Sequence, residues 1–178
     1  MKRRTLVLGA AGAAAAGAGL VWNLRRQPAH GPGPAAALDA PTLAFWQTSF
    51  AQPAGGELAM ATLRGQPLVL NFWATWCPPC VKEMPELDRF AKVFAGRGGR
   101  VLGLAVDNPT AVRQFLAKAP VSYAIALAGF EGADLSRALG NTTGALPYTT
   151  VFDRAGRVVQ RKLGETSFDE LSGWASAL

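Results

Sequence analysis

Residues 67–94 read PLVLNFWATWCPPCVKEMPELDRFAKVF, a strand pattern, a cysteine pair and a helix pattern in direct succession. Pro67 to Ala74 is an apolar stretch of strand length, rich in branched and aromatic side chains. Beyond it the spacing turns helical: Met84, Leu87, Phe90, Ala91 and Phe94 fall on one face. Between the two lies Trp76-Cys77-Pro78-Pro79-Cys80, and the chain has no other cysteine. Thiols at i and i+3 can close a disulfide with each other or supply half of a four-ligand metal site. One histidine, His30, and no further cysteine leave the usual zinc sets incomplete, so no metal is expected. A purely structural disulfide over so small a ring would constrain little of the unfolded chain. A dithiol that cycles between reduced and oxidised forms is the leading reading.

The junction assigns roles to the two sulfurs. Cys77 lies where a buried strand hands over to a helix, and the free N–H groups of a helix start favour negative charge. A Cys77 thiolate is stabilised there and is the expected nucleophile. Cys80, one turn further in, is expected to be more buried and to resolve the mixed disulfide. Pro78 and Pro79 suit a first helical turn but remove two N–H donors that would otherwise serve the thiolate. A less stabilised thiolate means a more reducing couple, which points to a disulfide reductant.

NFWATWCPPC followed by VKEMP resembles the active-site segment of the thioredoxin superfamily, and most closely its TlpA/ResA-like exported branch. The resemblance runs from about Ala40 to Leu178. Pro85 stands where that superfamily kinks its active-site helix. Glu83 matches the acidic residue that the branch places near the buried thiol for its proton chemistry, although its position alone also suits a carboxylate serving the helix dipole. Leu146-Pro147-Tyr148 resembles the segment with a cis-proline facing the dithiol. Asn71 stands where thioredoxin has a buried aspartate. Asn cannot take a proton, so Glu83 becomes the better candidate for that role. Together these imply catalytic Cys77, Cys80 and Glu83, a redox-active Cys77–Cys80 disulfide, and substrate-facing Trp76, Pro78, Pro79, Leu146 and Pro147. Trp73 is expected to be mainly core. No cofactor is implied.

The N-terminus bears on location. Lys2-Arg3-Arg4 precedes eighteen uncharged residues, Thr5 to Trp22, and Arg25-Arg26 follows. A basic segment before an apolar run is the pattern of an export signal. The run is also just long enough for a short membrane span. Residues 1–26 are therefore an export signal or an uncleaved anchor through residues 5–22, by the general or the twin-arginine route, and the domain is expected in the periplasm or another extracytoplasmic space. Residues 27–41, QPAHGPGPAAALDAP, hold four prolines and little apolar bulk and read as an extended linker. Residues 42–178 then form one domain, of a length that suits a single core. The net charge of +6 reflects this layout. Five of the 18 basic residues, and none of the 12 acidic ones, lie at or before Arg26, so 13 basic face 12 acidic beyond it. The excess reports targeting rather than nucleic-acid binding.

The rest of the chain alternates strand and helix. Val101 to Val106 reads as a buried strand, and Asp107-Asn108-Pro109 opens a helix reaching about Lys118. Ser122 to Leu127 reads as a strand and Ala133 to Leu139 as a short helix stopped by Gly140. Thr149 to Phe152 and Arg157 to Leu163 form a hairpin, and Ser167 caps a last helix. The expected architecture is α/β: a thioredoxin-like fold with a central mixed sheet flanked by helices, extended by an N-terminal β-hairpin within residues 43–63. The expected activity is an extracytoplasmic thiol–disulfide oxidoreductase that reduces protein disulfides, such as those of cytochrome c maturation or of copper sites. The resemblance implies disulfide-bearing protein substrates and recharging by a membrane electron donor of the DsbD/CcdA type. A non-enzymatic copper-handling protein or a disulfide oxidase on the same fold is the alternative. No histidine lies within residues 42–178, which argues against the first, and the Pro-Pro dipeptide argues against the second.

Overall fold

The computed structural model describes residues 37–178. The N-terminal signal or anchor, His30 and most of the Pro/Gly/Ala-rich linker lie outside the described residues. No helix among the described residues is long and apolar enough to cross a membrane.

The elements follow one another as α1 (Ala40–Gln47), β1 (Ser49–Ala51), β2 (Glu57–Ala59), a 3₁₀ turn (Met60–Leu63), β3 (Leu68–Trp73), α2 (Pro78–Ala95), β4 (Arg100–Ala105), α3 (Pro109–Lys118), β5 (Ala124–Leu127), α4 (Gly132–Ala138), β6 (Tyr148–Phe152), β7 (Val158–Leu163) and α5 (Phe168–Ala175). The seven strands form one sheet in the order β2-β1-β5-β4-β3-β6-β7. β3 pairs with β4 in parallel and with β6 antiparallel, and β4 pairs with β5 in parallel. The parallel pairs need crossovers, which α2 and α3 supply.

All six residues of β3 are buried, as a central strand covered on both faces requires. Its side chains alternate between two cores. Val69 and Trp73 join the cluster that holds both cysteines, Leu87 and Phe90 of α2, Val112 of α3 and Leu171 of α5. Leu68, Leu70 and Phe72 join the opposite cluster with Phe45 and Trp46 of α1 and Phe152. The edge strand β7 alternates half-buried and exposed residues.

The N-terminal hairpin is β1–β2, but a helix precedes it. Pro41, read from sequence as the last linker residue, sits in the first turn of α1, where a missing N–H costs no intrahelical bond. Asp39 caps that helix by accepting from the Thr42 N–H at 2.8 Å. Phe45 and Trp46 anchor α1, with ring centroids 5.1 Å from Phe152 in each case, and Trp46 Nε1 donates to the Gly156 carbonyl at 2.8 Å.

Candidate active site

β3 ends at Trp73, and the chain turns through Ala74–Trp76 into α2. Asp107, just past β4, fixes that turn: its Oδ2 accepts from the Thr75 N–H at 2.8 Å and from the Thr75 hydroxyl at 2.6 Å. The Val106 N–H, donating to the Trp73 carbonyl at 2.8 Å, ties the same two strand ends together. Cys77 is thus delivered to the N-cap of α2, with Pro78 and Pro79 in the first turn. Neither proline carries an N–H, so the first amide donor available to the Cys77 sulfur is that of Cys80, at 3.3 Å. The sulfur stands where a helix start concentrates positive potential, with a single N–H aimed at it.

Cys77 and Cys80 are joined in a disulfide, with Cα atoms 5.3 Å apart. Cys77 is 4% exposed and Cys80 not at all. The residues around them divide by exposure. Trp76 is 62% exposed beside the disulfide, whereas Trp73 is fully buried. Pro78 is exposed and Pro79 half-buried. The Leu146–Pro147 peptide is cis. Leu146 packs against the cluster containing both cysteines, and Pro147 is buried. Pro85 lies within α2 on its exposed side and leaves the helix continuous.

Glu83, at i+3 from Cys80, is buried. Its Oε1 accepts from Asn71 Nδ2 at 2.7 Å, and its Oε2 from the Thr166 N–H at 2.6 Å and the Thr166 hydroxyl at 2.8 Å. Burial pushes the Glu83 carboxyl above the ordinary carboxylate range; the Thr166 and Asn71 bonds oppose that rise, and the charge of Glu165 adds to it. Glu83 is thus a buried carboxyl of raised proton affinity on the same helix as the buried Cys80, one turn further along.

Three participants carry no signal in the motif. Thr166 lies 83 residues from Glu83, and Asp107 lies 32 from Thr75. Thr149, 78 residues from Asn71, accepts the other Asn71 N–H at 3.1 Å. Tyr123 is a fourth buried polar group of the region. Burial pushes its phenol upward, and the charges of Glu83 and Asp88 push it the same way.

The Redoxin family pattern matches residues 39–178. The chain belongs to the Redoxin family. Within that family it is a TlpA/ResA-like member of the thioredoxin superfamily and a thiol–disulfide oxidoreductase. It is 30% identical over 122 residues to the thiol-disulfide oxidoreductase ResA of Bacillus cereus, covering 67% of this chain and 68% of that one. Among solved structures, MTB dsbF superposes with a TM-score of 0.64 at 29% identity, over 75% of this chain and 96% of that one. A thioredoxin-family thiol:disulfide interchange protein from Chlorobium tepidum gives a TM-score of 0.63 at 27% identity, over 73% and 91%. A secreted disulfide oxidoreductase of Mycobacterium tuberculosis gives 0.63 at 25% identity, over 76% and 98%. The Cys77–Cys80 disulfide of this Redoxin-family chain stands at the thioredoxin-fold active-site position, and disulfide-bearing proteins are the corresponding substrates.

Proposed function

We propose that the protein works in the periplasm or an equivalent extracytoplasmic space as a reductant of protein disulfides, with Cys77 as nucleophile, Cys80 as resolving thiol and Glu83 as the proton acceptor for Cys80. The observation that carries this reading is the placement of the Cys77 sulfur at the start of α2, facing the Cys80 N–H past two prolines that have none. A thiolate there gains enough stabilisation to attack but not enough to make the dithiol form the favoured one.

The reaction proceeds by two displacements. The Cys77 thiolate attacks one sulfur of the substrate disulfide and expels the other as a thiolate. Cys80 gives up its proton to Glu83 and attacks the Cys77 sulfur. This closes the Cys77–Cys80 disulfide and releases the second substrate sulfur, which takes up the proton. Two electrons have moved to the substrate. A membrane donor of the DsbD/CcdA type restores the dithiol by the same exchange in reverse. Trp76, Pro78, Pro79 and Leu146 are the surface the substrate meets, and the buried cis-Pro147 directs the backbone next to Leu146. The basic and apolar run at the N-terminus, and a secreted relative in Mycobacterium tuberculosis, support export, with residues 5–22 as signal or anchor. The disulfides of cytochrome c maturation or of copper sites are the substrates this branch suggests.

Trapping tests the roles. The Cys80→Ala protein should accumulate a mixed disulfide through Cys77, visible on non-reducing gels and cleaved by dithiothreitol, and mass spectrometry of the trapped partner names the substrate. Cys77→Ser should trap nothing. If iodoacetamide at neutral pH labelled Cys80 of the reduced wild type faster than Cys77, the assignment of nucleophile would be reversed.

A further inference from the structure

Glu83 is gripped at both oxygens, and the two grips differ. Oε2 is held directly by the backbone and hydroxyl of Thr166. Oε1 is held by one N–H of Asn71, and the other N–H of that amide goes to the Thr149 hydroxyl oxygen. Asn71 Oδ1 receives no hydrogen bond from any described protein group, so these two N–H bonds alone fix the amide. Asn71 and Thr149 face each other in the β3–β6 register, and both are fully buried. Remove the Thr149 hydroxyl and one Asn71 N–H is left buried without an acceptor, a state costly enough for the amide to turn and loosen its hold on Glu83.

We propose that Thr149 is a positioning residue for the dithiol chemistry: by holding Asn71 it keeps an N–H on the Glu83 carboxylate, and so sets the pH at which Glu83 exchanges its proton. This rests on the reading of Glu83 as proton acceptor for Cys80. An N–H on a carboxylate favours the charged form, so losing it raises the proton affinity. The other groups around Glu83 are accounted for separately. Cys77 caps α2, and on the helix itself lie Cys80, Lys82 (paired with Glu165 at 2.8 Å), Glu86 (paired with Arg89 at 3.1 Å) and Asp88 (paired with Lys92). Glu165 also faces Glu83 from the segment before α5, and Tyr123 faces it from beside β5. Lys162 of β7 stands opposite Thr149 and is paired with Glu170 of α5. A Thr149→Val exchange alters none of these charges and is nearly isosteric.

The test uses the reduced protein and dithiobis(nitrobenzoate). Cys77 displaces a first thionitrobenzoate, Cys80 displaces the second, and the rate of the second release reads the Cys80 step. That rate is followed from pH 5 to 9 in wild type, Thr149→Val, Thr149→Ser and Glu83→Gln. Thr149→Val should move the Glu83-dependent step upward by about 0.5 to 1 pH unit, the equivalent of one hydrogen bond, and Thr149→Ser should restore it. A Thr149→Val profile that coincides with wild type, while Glu83→Gln departs from it, overturns this inference and leaves the Glu83 reading intact. A Thr149→Ser shift as large as that of Thr149→Val also overturns it, because packing alone would then be the cause. Coincident Glu83→Gln and wild-type profiles remove both readings. Should Thr149→Val not fold, nuclear magnetic resonance on the wild type decides. The Asn71 side-chain nitrogen and the Thr149 β-carbon should shift at the midpoint of the Glu83 carboxyl carbon, and their constancy through that midpoint overturns the inference.

Discussion

Glu83 is where the chemistry of a single residue carries most weight. Its folded-state proton affinity is raised, with burial as the main cause. A carboxyl of this kind contributes stability that is complete below its unfolded pKa, about 4.3, and is lost as the pH rises through its higher folded value. Glu83→Gln cannot ionise and escapes that loss. The stability of Glu83→Gln relative to wild type should therefore improve from pH 4 to pH 8, whatever constant offset the altered hydrogen bonds to Thr166 impose. Urea unfolding of both proteins at the two pH values measures it, and a difference that stays constant would show that Glu83 does not titrate between them. From its position alone Glu83 reads equally as a helix-dipole carboxylate; its burial and its three donors support the proposed proton role.

At the scale of elements, α2 must be held on the sheet firmly enough for Cys77 to stay at its cap. The side chains of Met84, Leu87, Phe90 and Phe94 do this on the apolar face, as their spacing predicts. Asp88 adds a polar tie at the border of that face. It accepts from the Ser122 N–H just before β5 and pairs with Lys92 at 2.6 Å. Burial tends to raise the Asp88 carboxyl, but Lys92 and Ser122 together outweigh it and bring its pKa to about 2. A depressed carboxyl contributes stability above its unfolded pKa, about 3.9, that disappears as the pH falls toward the folded value. Asp88→Asn should consequently be less stable than wild type at pH 5, and the gap should narrow between pH 4 and pH 2. Unfolding curves at pH 5 and 2.5 test this; an unchanged gap would mean that the contribution is not ionic. Helix α1 is the element whose sequence signal is weakest. It has only eight residues, and proline-rich sequence leads into it, so its two aromatic anchors take on meaning only once Phe152 lies beneath them.

Over the whole molecule the sheet separates two cores with different duties. One contains the dithiol and the helices that support it, and the other is apolar packing around α1 and Phe152. Trp46 belongs to the second, nearly fully buried and bonded to Gly156. Trp46→Ala should cost about 3–5 kcal/mol of unfolding free energy, as loss of a large buried aromatic does. At temperatures where the variant stays folded, its disulfide-exchange rate should match wild type. A large rate loss in the folded variant would mean that the two cores are coupled. The redox poise is a property of the whole protein too, since it compares two complete folded states. With one N–H facing the Cys77 sulfur, the couple should be reducing, nearer the roughly −270 mV of thioredoxin than the roughly −120 mV of a strong periplasmic oxidant. A dithiothreitol titration that gave a potential above about −180 mV would rule out the reductant assignment.

The strand–dithiol–helix unit, the apolar face of α2, the β6–β7 hairpin and the alternation of strands and helices around them are legible in the chain before it folds. Each of these is written in neighbouring residues: a period of two or 3.6, a cap, a turn, a cysteine spacing. That Asp107 holds the turn before Cys77, that Thr166 and Asn71 grip Glu83, and that Thr149 stands behind Asn71 emerges in three dimensions alone. Those partners are single polar residues between 12 and 83 positions apart. A threonine or an aspartate on its own has no period to betray it, and its hydrogen bond acquires a direction only when the strands that carry it come into register.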